Sequence, residues 1–179
     1  MKTLVALLRG INVGGKNRIQ MSELKSLLSS LGLEDVVAYI QSGNVVFRTR
    51  GVAHDVANSI EHRIAEAFGI NVTVLLRTPA ELKAVARGNP FLSDDSDLSK
   101  LHVVFLSGRP AVSAAAELDP QRSPPDEFKL EGREIYLRLP NGSGRSKLTI
   151  DYFERQLGVT ATARNWKTLE KLLEMTQAA

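Results

Sequence analysis

The stretch LLRGINVGGKN, from Leu7 to Asn17, decides how the chain is read. An apolar run ends in an arginine, a glycine-rich turn follows, and a lysine closes it. Gly10, Gly15 and Lys16 stand in the register of the nucleotide-triphosphate loop, G-x-x-x-x-G-K-[ST]. Asn17, however, occupies the place of the hydroxyl that would hold magnesium. In that loop the helix starts at the lysine, so that its N-terminus faces the phosphates. Here helical spacing begins only at Met21 or Ser22. No apolar strand ending in aspartate supplies a second metal holder, because LTID (148–151) lies in a helical pattern. An NTP-hydrolysing loop is not expected, and the element order of the chain does not suit a parallel-sheet NTPase either.

Working outward, the apolar period alternates between two and about 3.6 residues, marking strands and helices in turn. TLVALLR (3–9) has strand length. Met21, Leu24, Leu27, Leu28 and Leu31 recur at helical spacing, with Gly32 as a stop. VVAYI (36–40) and NVVFR (44–48) flank a tight Gln-Ser-Gly turn and predict a hairpin. Val56, Ile60, Ile64 and Phe68 mark a second helix closed by Gly69, and VTVLLR (72–77) is the fourth strand. The order is β-α-β-β-α-β, the ferredoxin-like pattern. Thr78-Pro79-Ala80-Glu81 predicts a further helix start, with a threonine cap, proline in the first turn and glutamate three residues after the cap.

An acidic, serine-rich stretch, SDDSDLSK (93–100), is the candidate linker, and the second half then echoes the first. LHVVFL (101–106) is a strand, an alanine-rich helix covers about 110–118, and a hairpin turns around Gly132. Leu148, Tyr152, Phe153 and Leu157 mark a helix, TATAR (160–164) an edge strand, and Trp166, Leu169, Leu172 and Leu173 a last helix. The fold class expected is α+β: two ferredoxin-like halves in tandem plus a C-terminal helix, with domains at 1–92 and 101–179. The echo is one of element order, without an evident residue-level repeat.

Composition bounds the function. The 179 residues contain no cysteine, which excludes disulfides, thiolate metal sites and cysteine nucleophiles. The net charge of +3 falls short of a dedicated nucleic-acid clamp. No run reaches the ~18 apolar residues of a membrane span, and the N-terminal apolar run meets Arg9 at once, unlike a secretory signal. A cytoplasmic protein is expected. His54 and His62 are eight apart and His102 lies in a strand, so no pair has metal spacing. Asp94, Asp95 and Asp97 lack the glycine and distant glutamate of a calcium loop. No nucleophile elbow or triad is present; the sequence leaves open which residues would catalyse a reaction, and no cofactor or metal is expected.

Four polar stretches remain. The opening loop can converge backbone N–H groups on an anion, with lysine as a point charge, or can be a turn without a ligand. LPNGSGRSKLT (139–149) joins a strand to a helix that Ser146 or Thr149 can cap, which offers an anion the helix's N–H groups or merely a flexible loop. IQSGN (40–44) is explained by a hairpin turn, since Gly43 and Asn44 tolerate positive φ. In ARNWK (163–167), Asn165 suits a helix cap and Trp166 suits core packing, or a stacking face beside Arg164.

LLRGINVGGKNRIQM, YIQSGNVVF, NGSGRSKLT and RNWKTLEKLLEM together resemble a bacterial domain-of-unknown-function family, number sixteen ninety-seven, over residues 2 to about 175. The resemblance implies a duplicated α+β fold of ferredoxin-like halves and brings no established activity. Its signature positions here are Arg9, Gly10, Asn12, Gly14, Gly15, Lys16 and Asn17, then Gln41, Ser42, Gly43 and Asn44. They continue with Asn141, Ser143, Arg145, Ser146 and Lys147, and end with Arg164, Asn165 and Trp166. That set is cationic, amide-bearing and glycine-rich, which packing alone does not require. In one ideal half the loop after the first strand and the turn between the second and third are expected at opposite ends of the sheet. A single site would then require a cleft between halves. The expected partner is a phosphate-bearing small molecule. Arg9, Lys16, Arg145 and Lys147 would carry charge, and Asn12, Gln41, Asn44 and Ser143 would orient the ligand. The alternatives are an RNA- or DNA-binding protein and an enzyme of unnamed reaction in the same cleft.

Overall fold

The computed structural model describes residues 1–178. It divides into two compact units, Met1–Ala84 together with the residues from Lys171 onward, and Val85–Glu170.

In the first unit, β1 (Lys2–Leu8), α1 (Met21–Ser30), β2 (Glu34–Tyr39), β3 (Asn44–Thr49), α2 (Ala53–Phe68) and β4 (Val74–Arg77) follow in order. The strands form an antiparallel sheet of order β2-β3-β1-β4. Residues alternate across a strand, so Leu4, Ala6 and Leu8 share one face with Val45 and Phe47. That face packs with Leu24 and Leu28 of α1 and Ile60 and Ile64 of α2. The opposite face carries Val5, Leu7, Val46, Leu75 and Arg77, which are buried as well. Burial on both faces is why β1 reads as a continuous apolar run rather than as alternation. Val56, Ile60 and Ile64 recur every fourth residue and give α2 one buried stripe. The helix ends at Gly69 in the left-handed conformation, φ +66°.

The second unit has β5 (Leu101–Leu106), α4 (Val112–Ala116), β6 (Glu127–Glu131), β7 (Glu134–Arg138), α5 (Ile150–Leu157) and β8 (Ala161–Asn165). Its antiparallel order, β6-β7-β5-β8, repeats that of the first sheet. Val104, Leu106, Ile135, Leu137 and Ala161 pack with Phe153 and Leu157 of α5. Phe128 meets Phe153 edge to face, centroids 5.8 Å apart. Two further helices, α3 (Pro79–Gly88) and α6 (Trp166–Ala178), follow the last strand of each sheet. The division between units passes through both of them.

The helix starts predicted at Thr78 and Asn165 form. Thr78 Oγ1 accepts from the Glu81 N–H at 3.2 Å while Glu81 Oε2 accepts from the Thr78 N–H at 2.7 Å, a reciprocal capping box. Asn165 Oδ1 accepts from the Thr168 N–H at 2.8 Å.

The two units also match contact by contact, which the sequence did not reveal. Leu8 N–H donates to Gly43 and Arg9 N–H to Thr73; Leu106 N–H donates to Arg133 and Ser107 N–H to Thr160, all at 2.8–2.9 Å. Glu61 of α2 accepts from the first N–H of β4 at 2.7 Å, and Glu154 of α5 accepts from the first N–H of β8 at 2.9 Å. Arg77 and Arg164, each the fourth residue of its strand and each buried, donate to the carbonyl just before them. Gly158 caps α5 in the left-handed conformation as Gly69 caps α2.

His102 of β5 is half-buried, and its Nδ1 has no hydrogen-bond partner. Burial lowers its pKa from the ordinary 6.5, and the Lys100 backbone only partly opposes the shift. A depressed histidine favours the fold while neutral. This stabilisation is complete above about pH 6.5 and is lost as the pH falls from there toward the folded-state value. Denaturant melts between pH 7.5 and 5 are expected to show stability falling on acidification, with a shallower slope in His102→Leu. Equal slopes would mean that another group controls the acid limb.

Candidate functional site

The glycine stretch builds a small, stiff projection at the end of β1. Val13 and Lys16 pair as an isolated antiparallel bridge, with Lys16 N–H donating to Val13 at 3.0 Å. Gly14 and Gly15 between them have φ of +58° and +74°. Two consecutive positive φ values make the two-residue type I′ hairpin turn, which glycine adopts without steric cost. Gly10, Asn12 and Asn17 are also left-handed, and asparagine is the non-glycine residue that best tolerates this.

The asparagines hold this path. Asn12 Oδ1 accepts from Ile19 N–H at 2.9 Å, and its Nδ2 donates to the carbonyls of Ile19 and Gln41 at 3.0 and 2.7 Å. Asn17 Nδ2 donates to the Gly10 carbonyl at 2.9 Å. Asn44, fully buried, donates to the Tyr39 carbonyl and to Ser42 Oγ. The amides of Asn12, Asn17 and Asn44 are thus committed to the backbone or to a neighbouring side chain.

These contacts overturn the expectation that the opening loop and the Gln41–Asn44 turn lie at opposite ends of the sheet. They adjoin: Asn12 bonds Gln41, and Leu8 bonds Gly43 at 2.8 Å. The reason is topological. β1 and β2 are each antiparallel to β3, so they run parallel to one another, and their C-terminal ends emerge on the same side. In the second unit, NGSGRSK and Asn165 likewise share an end, since Arg138 lies opposite Leu101 and Asn165 opposite His102 on the same strand.

Asn12, Gly15, Arg18, Ile19, Gln20, Glu23 and Gln41 line a depression of about 560 Å³ beside the projection, within the range of small-molecule sites. Arg18 rests against the turn, its Nη2 3.6 Å from where a Cβ on Gly15 would stand. The side chains of Lys16, Arg18, Glu23 and Gln41 make no ion pair or hydrogen bond among the described residues. Arg18, Gln20 and Glu23 were not among the residues singled out from the sequence. A signal was present: in the extended segment before α1, buried Ile19 lies between exposed Arg18 and Gln20, so both polar side chains turn outward by strand alternation.

The other predicted positions divide clearly. Arg9 is half-buried and partnered. Asn141, Ser143, Arg145 and Lys147 are exposed around a 3-10 turn, Ser143–Arg145. Ser146 Oγ accepts from Leu148 N–H at 3.0 Å, and Thr149 caps α5. Arg122 ties this loop down, donating to the Lys147 carbonyl at 2.9 Å while lying 3.9 Å over the Tyr152 ring. Trp166 is buried. Arg164 is buried too, donating to Thr162 Oγ1 and the Ala163 carbonyl, and burial brings its pKa down to about 10.

Among the described residues, no group of three or more acidic or imidazole side chains is placed to hold a metal, and no helix is long and apolar enough to cross a membrane. The molecule is an α+β protein of two four-stranded antiparallel sheets and six helices among the described residues, with a polar depression beside a stiff glycine turn. The chain belongs to the DUF1697 family of proteins of unknown function, whose model matches residues 1–136. Its fold is similar to that of the conserved bacterial protein SP0830 from Streptococcus pneumoniae, with a TM-score of 0.74 over 98% of each chain at 24% identity. No curated protein matches the chain.

Proposed function

We propose that this protein binds an anionic, phosphate-bearing small molecule at the glycine-turn end of the first sheet. The observation that carries this reading is the pairing of a pre-shaped turn with unneutralised cations. Lys16 stands on the turn and Arg18 against it, and neither has an ion-pair partner among the described residues. A turn held by asparagine bonds loses little freedom when a ligand arrives, so more of the interaction energy appears as affinity. A guanidinium supplies paired donors for a phosphate and an ammonium adds a point charge. The exposed Gln41 side chain is at hand to orient the ligand.

Calorimetry and thermal shift with inorganic phosphate, pyrophosphate and phosphorylated metabolites test the reading. Lys16→Ala and Arg18→Ala should each weaken binding tenfold or more, since a charge-assisted hydrogen bond contributes about 1.5–3 kcal/mol. If no phosphate compound raises the melting temperature of the wild type, the reading fails.

We also infer that the units derive from two ferredoxin-like repeats, residues 1–92 and 101–179. The shared strand order, the matched glutamate and arginine contacts and the paired left-handed glycine caps support this. On this reading α3 is the counterpart of α6, so that each repeat ends in a helix. A cytoplasmic location is proposed on the absence of cysteine from the sequence.

A further inference from the structure

The depression that Arg18 lines is not uniformly basic. Arg18 and Glu23 both line it, yet they join neither to each other nor to any other described residue. An arginine and a glutamate within one small concavity lower their energy by pairing when the chain lets them. Here they stay apart, with Gln20 and Gln41 on the same wall. The wall therefore offers one cation, one acceptor-only carboxylate and two primary amides whose side chains are not taken up by the fold. The floor beside them is Ile19, which is buried.

From this constellation we propose that the site takes a ribonucleoside monophosphate; the proposal rests on the anion-binding reading above and narrows it. Each group has a chemical counterpart in that ligand. The Arg18 guanidinium is matched to the phosphate. A carboxylate repels phosphate but accepts from two vicinal hydroxyls at once, so Glu23 is matched to the ribose 2′ and 3′ hydroxyls. Carboxamides donate and accept together, which suits the edge of a heterocyclic base, and Gln20 and Gln41 supply two of them. The volume of about 560 Å³ accommodates one nucleotide. Free phosphate alone would leave Glu23 as an unfavourable neighbour, so a simple anion is the poorer match.

The experiment is a calorimetric titration of the full chain with AMP, GMP, CMP and UMP, their 2′-deoxy counterparts, a short RNA oligomer and sodium phosphate, repeated on Glu23→Gln. At least one ribonucleotide should bind about tenfold more tightly than its deoxy form, the scale of a lost hydrogen bond to a charged group. Glu23→Gln should reduce that ratio, because the carboxamide that replaces the carboxylate accepts from the 2′ hydroxyl without a charge. Glu23 is exposed on the first turn of α1, so the variant is expected to fold, and the wild-type ribo-to-deoxy ratio stands as an independent measurement. Equal binding of ribo and deoxy forms, or of phosphate alone, overturns the nucleotide assignment and leaves the anion reading intact. Binding confined to RNA oligomers, with no mononucleotide bound, overturns the assignment as well. Failure of every phosphate-bearing compound overturns both.

Discussion

Gly43→Ala is expected to destabilise the protein by about 3 kcal/mol and to lower its melting temperature by roughly 10 °C. Two costs add at this position. Gly43 has φ +80°, where an L side chain costs about 1–2 kcal/mol. A Cβ there would also stand 2.8 Å from both Leu8 Cβ and Ile11 Cδ1. Those two atoms belong to fully buried side chains, so neither can swing away, and overpacking of this kind typically costs about 1–3 kcal/mol. Gly69→Ala is the matched control. Its φ is +66°, but nothing lies within 4 Å of the added Cβ, so only the conformational cost of about 1 kcal/mol remains. Parallel thermal melts separate the two contributions. Equal losses in both variants would show that β1 moves aside at Gly43, and the close-approach argument would fall.

Asn12→Ala should cost about 4 kcal/mol, because three hydrogen bonds vanish at about 1 kcal/mol each and alanine at φ +54° adds about 1 kcal/mol more. One of those bonds, to the Gln41 carbonyl at 2.7 Å, is a direct tie between the glycine loop and the β2–β3 turn. Loss of that tie should loosen the depression as well as the fold, so ligand affinity ought to fall with stability. Asn12→Gly retains the backbone preference and removes only the bonds, and the difference between the two variants measures the strain. Amide exchange at Ile19, whose N–H donates to Asn12 at 2.9 Å, offers a local readout. Unchanged protection at Ile19 in Asn12→Ala would disprove the staple role.

Much of the architecture was legible in the chain because it depends on period and punctuation. The spacing of Val56, Ile60 and Ile64 and the stop at Gly69 give α2 nearly residue for residue. Thr78 with Glu81 and Asn165 with Thr168 form the caps their types and spacing predict. The late onset of helical spacing was legible for the same reason: α1 begins at Met21, well after Lys16. What could not be read was partnership at a distance. Nothing local distinguishes Asn12, whose amide spans from Ile19 to Gln41, from Gln41, whose side chain stays free. Arg9, Arg145 and Arg164 are likewise the same residue type in similar glycine-, serine- or threonine-bearing contexts. Arg164 is nonetheless buried, Arg9 partnered, and Arg145 exposed.

Local order along the chain was enough to determine the succession of strands and helices and the alternation of their faces, since each follows from neighbours within a few residues. Tertiary structure alone decided that the glycine turn and the β2–β3 turn share one end of a sheet. It also decided which asparagines are committed, and that Arg18 and Glu23 share a wall without pairing. The physical reason is strand direction: once α1 carries the chain back, β2 must run parallel to β1, and residues about thirty positions apart become hydrogen-bonded neighbours.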